Sequence, residues 1–294
     1  LRTIWNSSLP VTIAHCHELS HKTIADIRRI HEQSISQLLR SNEGRRPLLD
    51  FVDMCIDAPM AKKERLRGWF CKPAALVMSS YTETLLIDTD TIWFQNPDTL
   101  FEAPLYKDTG AMFFRDRAIR FDKDNTGQER GVVRLKHVKK FVQEQSAILK
   151  VKHPGAGFRP ERFSNWDEKL SESLYLNGGY GTNYVWKSDF DVNATDLAHV
   201  QESSAVILDA SRLPRTLQAI TEFIPTFSIG YGDKEMYWVA ATLAAEDFSF
   251  EPYLEGLYGD CGVVFHFDPS SITREVLKAG QIPTGLPFAD MPLY

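Results

Sequence analysis

Two aspartates one residue apart, Asp88 and Asp90 in the run LLIDTDTIWFQNP over residues 85–97, carry the strongest chemical signal in this sequence. An apolar stretch leads into them, and on extended backbone side chains at i and i+2 point the same way. Two carboxylates that close repel each other unless a cation sits with them. A hard divalent ion, Mn2+ or Mg2+, accepts oxygen ligands and keeps positions free for phosphate oxygens. Such an ion would neutralise charge developing on a departing diphosphate. The competing reading is a strand-end turn or a helix N-cap, since isolated D-x-D triplets are common. Placement directly after an apolar strand favours the metal. Metal-dependent nucleotidyl transfer or phosphoester hydrolysis would also use paired acids, but those sites add further acids near strand ends, and none is convincingly spaced here.

The elements that must position these acids follow from periodicity. Residues 11–15 form a short apolar strand after Pro10, and residues 22–39 carry Ile24, Ile27, Ile30, Ile35, Leu38 and Leu39 at helical spacing. Residues 48–54 read as a second strand, 72–80 as a short helix and 84–87 as the strand that ends at Asp88. Strand, helix, strand, helix, strand argues for an α/β fold with a mixed, mostly parallel sheet flanked by helices, and for ligands at the carboxyl ends of its strands. Further strands are expected at 110–114, 205–208 and 262–267, and a helix at 233–245. The charged stretch 115–153 reads as a peripheral insertion with a solvated face. The Gly- and aromatic-rich run YLNGGYGTNYVW, 175–186, reads as an irregular loop. No repeat or linker divides the chain, so residues 1–294 are expected to form a single domain.

Bulk composition agrees with a folded protein: 43% hydrophobic and 24% charged residues are ordinary globular usage. A net charge of -6 gives no general attraction to nucleic acid, so an anionic ligand must be met locally by a cation or a few bases. No run of eighteen apolar residues exists, and neither a membrane span nor a signal peptide is expected within these residues. Leu1 is not an initiator Met, which is compatible with an anchor upstream. Cys16, Cys55, Cys71 and Cys261 show no zinc spacing; Cys55 and Cys71 are candidates for a short disulfide loop, with buried thiols as the competing reading. Asn6-Ser7-Ser8 and Asn193-Ala194-Thr195 fit the glycosylation acceptor pattern of a secretory-pathway protein.

Residues 85–116, LLIDTDTIWFQNPDTLFEAPLYKDTGAMFFRD, resemble the core block of the fungal-type Golgi α-mannosyltransferases, the α-1,2 and α-1,3 transferases, with their order of D-x-D, then P, then L-F, then Y-x-x-T-G. Three further blocks agree in order: GWFCKPAALVMSSY at 68–81, QESSAVILD at 201–209 and GDKEMYWVA at 232–240. The resemblance implies a GT-A (Rossmann-like) fold, a type II membrane protein with its catalytic domain in the Golgi lumen, a Mn2+ cofactor, and transfer from a nucleotide-sugar to a glycan or glycoprotein acceptor with retention at the anomeric carbon. Asp88 and Asp90 match the family's metal motif, Asp90 being the closer ligand. The chain departs from it at Thr89 and Thr91, where members often carry Ala and Asn. The donor therefore stays open between GDP-mannose, the first expectation, and a UDP-sugar.

By the same resemblance a late histidine completes the metal set, and His266 in GVVFHF is the candidate, with His15, His17 and His199 as rivals and a core histidine as the alternative. Lys72, ahead of the metal strand, is placed to meet a donor phosphate or else to be a solvated surface lysine. Trp69 is a candidate to stack on the base or to pack in the core. Together with Asp88, Thr89 and Asp90, Ser203 completes the candidate donor-binding set. Glu202 precedes the buried strand expected at 205–208, where polar groups would meet sugar hydroxyls. Asp233 is a candidate helix cap, and by resemblance Asp233, Lys234 and Glu235 face donor sugar and acceptor. No carboxylate is assignable as a covalent nucleophile, so retention is expected through a front-face reaction in which the leaving phosphate deprotonates the acceptor.

Overall fold

Alternation of apolar and polar residues in VTIAH makes β1 (Val11–His15) a strand with one face turned inward. The computed structural model describes residues 7, 9–38, 48–57, 68–91, 93, 96–115, 141, 144–145, 147–149, 151–152, 201–227, 232–250, 256–258 and 263–265. After β1 the chain turns through Ser20, whose hydroxyl accepts from the Thr23 N–H at 3.1 Å and opens α1 (His21–Leu38). Ile24, Ile27 and Ile35 lie along its packed side, whereas Ile30 is 56% exposed, off the stripe expected for it. The chain returns as β2 (Leu49–Asp53), parallel to β1 with Val11 opposite Leu49 and His15 opposite Asp53.

Because these strands are parallel and in register, their carboxyl ends lie side by side. Cys16, just past β1, and Cys55, in the single-turn helix α2 (Met54–Asp57), form a disulfide with Cα atoms 5.0 Å apart. This replaces both readings left open for Cys55, a loop to Cys71 and a free thiol: strand register, not closeness in sequence, brings the partners together. Cys71 is a thiol at the start of α3 (Cys71–Val77), and burial, with Glu18 and Asp53 nearby, pushes its pKa up.

α3 leads to β3 (Glu83–Ile87), and beyond it Asn96 caps a 3-10 helix over Pro97–Glu102 by accepting from the Asp98 N–H. Then follow α4 (Pro104–Thr109) and β4 (Ala111–Arg115), joined through Gly110. Gly110 has φ 82, and a Cβ there would come within 2.9 Å of Leu213, so no other residue fits without movement. β5 (Gln201–Asp209) runs between β3 and β4, antiparallel to both, and β6 (Ser249–Phe250) adds parallel to β4. The order is β3-β5-β4-β6, so this sheet is mixed rather than mostly parallel. β5 also starts at Gln201, four residues earlier than the apolar run suggests, which puts Glu202 and Ser203 inside the strand. A last antiparallel pair is β7 (Gly256–Tyr258) and β8 (Val263–Phe265).

Both faces of the four-stranded sheet are covered. Val206, Leu208, Ala111 and Phe113 point into the larger core with α3, α5 (Pro214–Phe223) and α6 (Met236–Ala244). Ala205, Ile207, Met112 and Phe114 point the other way, onto Leu100 and Tyr106. α6 is apolar all round, and every one of its residues is buried, as a helix without a polar face requires. Within 115–153, Phe141 and Leu149 are buried in the larger core, Phe141 edge-on to Phe223 at 5.3 Å. The run 175–186 lies outside the described residues. No described helix is long and apolar enough to cross a membrane.

The start of α5 has no side-chain cap of its own. Glu246, 7% exposed, supplies one from beyond α6: its carboxylate accepts from the Thr216 N–H at 2.7 Å, the Thr216 hydroxyl at 2.8 Å and the Arg215 N–H at 3.1 Å. Glu246→Ala is expected to lower the free energy of unfolding by about 1–3 kcal/mol, read from urea denaturation followed by circular dichroism. An unchanged midpoint would contradict this role.

Candidate active site

β3 carries the chain to Asp88, whose N–H donates to the Ser204 carbonyl at 2.9 Å and so fixes it beside β5. The backbone is no longer extended there: the Thr91 N–H returns to the Asp88 carbonyl at 3.2 Å, and Thr89 and Asp90 occupy an exposed turn. The acids are thus presented by a strand-end turn, not by two alternate strand positions. Asp88 is partly sheltered, at 26% exposure, while Asp90 faces outward.

Lys72, from α3, converges on Asp88. Its Nζ lies 3.1 Å from both Asp88 carboxylate oxygens, 3.3 Å from Asp233 Oδ2, 3.0 Å from Ser203 Oγ and 3.2 Å from the Ser203 carbonyl. This is not the solvated lysine of the alternative reading. Asp233 sits in the turn ahead of α6 and is only 1% exposed. Its side chain does not cap that helix. Instead it accepts from the Tyr237 hydroxyl at 2.7 Å and the Ser203 hydroxyl at 3.3 Å, in addition to pairing with Lys72. Burial pushes the Asp233 carboxyl up in pKa, with Lys72 and Tyr237 opposing. Burial, together with Asp233, raises the Tyr237 phenol well above its ordinary value, so it keeps its proton and donates.

Beside this cluster Glu202 accepts from Lys234 Nζ at 2.5 Å and from the Ser204 N–H at 2.8 Å. Glu235 turns inward: it is fully buried and accepts from Trp238 Nε1 at 2.5 Å. Trp69 is 55% exposed and stands 5.9 Å, centroid to Nζ, from Lys72. It rests on Gly232, which has φ 71 and where a Cβ would come within 2.7 Å of Trp69 Cγ. The structure therefore brings together Lys72, Asp88, Ser203 and Asp233, with Trp69 at the edge. Tyr237 escapes a sequence reading because it sits in an apolar helix. Its spacing of four from Asp233 is the one signal that could have found it, although Asp233 precedes the helix.

Carboxylate, hydroxyl and carbonyl oxygens make up the donor set around Asp88 and Asp90, which fits a hard divalent ion. His266 and His199 lie outside the described residues. His15 and His17 belong to a different place, the carboxyl ends of β1 and β2. His17 Nδ1 is 2.8 Å from Asp53, and His15 Nδ1 is 3.9 Å from it. Burial opposes the Asp53 charge, but the Cys55 N–H and His17 outweigh it and hold the carboxyl below its ordinary pKa. His17, Asp53 and Cys55 have metal-like spacing, yet the Cys55 sulfur is committed to the disulfide, so they do not form a metal centre. An open cavity of about 300 Å³ lined by Cys16, His17, Glu18 and Gly68 lies at this end of β1, next in sequence to Trp69.

The sequence matches, over residues 1–265, the model of a family described as "Mannosyltransferase putative". Among relatives, the Saccharomyces cerevisiae protein named "Probable alpha-1,3-mannosyltransferase MNT4" is 24% identical over 84% of this chain and 38% of its own length. The Candida albicans protein named "Putative alpha-1,3-mannosyltransferase MNN14" is 25% identical over 60% of this chain and 21% of its own. The S. cerevisiae "Alpha-1,3-mannosyltransferase MNT3" is 23% identical over 62% of this chain and 26% of its own. The chain thus spans well under half the length of these curated relatives. With the family model covering residues 1–265 of the 294, and with the Asp-Thr-Asp turn, Lys72 and Asp233 lying inside the matched span, the chain belongs to this mannosyltransferase family.

Proposed function

We propose that this chain is a single GT-A catalytic domain of a metal-dependent, retaining α-mannosyltransferase that moves mannose from GDP-mannose to a hydroxyl of a glycan or glycoprotein acceptor. The observation that carries the reading is the convergence of Lys72, Asp88 and Asp233 beside the exposed Asp90. Such a place offers both an ion and an ammonium to a diphosphate while keeping a buried carboxylate close by. The α-1,3 linkage in the names of the relatives is carried into the proposal.

Asp88 and Asp90 would hold Mn2+, with Mg2+ as a substitute and His266 as the third ligand; the ion supplies charge stabilisation to the leaving diphosphate. Lys72 meets a donor phosphate, and Trp69 and Thr89 lie along the donor's path, the base directed toward the cavity at the end of β1. Ser203 and Asp233, held by Tyr237 and buried behind Lys72, set the position of its ammonium on the donor side of the site. Glu202 and Lys234 line the acceptor side, with Glu235 fixing that wall through Trp238. The bond from the anomeric carbon to the phosphate oxygen breaks as the acceptor oxygen bonds to the same face. The acceptor proton passes to the departing phosphate oxygen, which requires positioning but no protein nucleophile. The Cys16–Cys55 disulfide and two glycosylation sequons support an oxidising compartment of the secretory pathway, and the family resemblance makes the Golgi lumen the compartment proposed.

Asp88→Ala and Asp90→Ala are each expected to lower kcat/KM for mannose transfer by about a hundredfold or more while circular dichroism stays unchanged, and EDTA is expected to do the same to the parent until Mn2+ is restored. Transfer at the parental rate in either variant contradicts the reading. Calorimetric titration in Mn2+ is expected to give GDP at least about tenfold tighter binding than UDP, a difference near 1.4 kcal/mol. Equal affinities would contradict the preference for GDP, and tighter binding of UDP would return the donor to a UDP-sugar.

A further inference from the structure

We infer that Lys72 couples the metal to the donor: its ammonium competes with the divalent ion for Asp88 and gives the carboxylate up when a diphosphate arrives. This rests on the site as read above and adds a coupling between its two ligands. Lys72 Nζ is 3.1 Å from each Asp88 oxygen, so it stands astride the carboxylate. A divalent ion bound to either oxygen at ordinary coordination distance comes within a few ångströms of that ammonium. Like charges so close, at a site only 17% exposed on the lysine side and 26% on the aspartate side, are weakly screened.

Lys72 also has somewhere else to stay. Ser203 Oγ at 3.0 Å, the Ser203 carbonyl at 3.2 Å and Asp233 Oδ2 at 3.3 Å hold it independently of Asp88. A flexible four-carbon stem lets the ammonium pivot about those contacts. A diphosphate beside the ion offers it new oxygens, and the repulsion between lysine and metal is then shared across intervening phosphate charge. Asp90, outside the Lys72 cluster on its exposed turn, offers the ion a first contact. Ion and diphosphate therefore each strengthen the binding of the other, and by linkage the two effects are equal in size.

The decisive comparison is Mn2+ binding without nucleotide, read from the electron paramagnetic resonance of free Mn2+ during titration with protein. Lys72→Met is expected to bind Mn2+ about tenfold more tightly than the parent, whereas Lys72→Arg, which keeps the charge, stays close to the parent. If the methionine variant does not fold, Lys72→Gln, neutral but still a donor toward Ser203 and Asp233, carries the same comparison. Adding GDP, with Mn2+ held by free GDP subtracted, is expected to tighten Mn2+ binding to the parent more than to the neutral variant. Equal or weaker Mn2+ binding in the neutral variant overturns the coupling while leaving the metal reading intact. No Mn2+ binding to any of these proteins, with or without GDP, overturns the metal reading itself and the coupling with it.

Discussion

The site depends on one electrostatic constraint: a single lysine ammonium is shared by two carboxylates that the fold brings together from separate elements. Asp88 arrives at the end of β3, Asp233 in the turn before α6, Ser203 on β5 between them, and Lys72 on α3. Asp233 is almost wholly buried, and a buried carboxylate without a partner is costly, so the Lys72 contact and the Tyr237 hydroxyl are what make that turn tolerable. The same requirement ties α6 to β5. Trp238 N–H approaches the Gln201 side chain, and Trp238 Nε1 donates to Glu235, so the apolar helix meets its buried polar neighbours through defined bonds.

The architecture explains why that convergence is rigid. β5 is one of the two inner strands, bonded on both edges and packed on both faces, and Ser203 and Ser204 lie on it. The Asp88 N–H to Ser204 carbonyl bond sets the Asp88 backbone against this strand. Only beyond Asp88 does the chain open into the turn that exposes Thr89 and Asp90. A fixed acid followed by an exposed one differs from two equivalent ligands on a flat strand, and it separates the residue held by the protein from the residue open to solvent.

Much of this was legible in the residues. The apolar run ahead of Asp88, the strand at 11–15 and the alternation of strands and helices all appear as read. Lys72 and Asp233 stand out in the sequence, each with a rival role, and the contact between them requires tertiary structure. What local patterns could not carry was pairing. QESS at the start of β5 is polar, so its strand character is hidden until β3 and β4 are seen on either side of it. Antiparallel order at that strand, the Cys16–Cys55 partnership and the inward turn of Glu235 are likewise long-range facts. The family match strengthens the chemical reading independently of the geometry, since it covers residues 1–265 and relatives named as α-1,3-mannosyltransferases share much of that span.

The account is tested most directly by anomalous diffraction at the manganese edge from crystals grown with Mn2+ and GDP. It predicts one strong peak in coordination contact with the Asp88 and Asp90 carboxylates, the GDP phosphates on the ion, and Lys72 Nζ on a phosphate oxygen rather than astride Asp88. A peak beside His17 and Asp53, or GDP bound with Lys72 still clasping both Asp88 oxygens and no manganese near them, would contradict it.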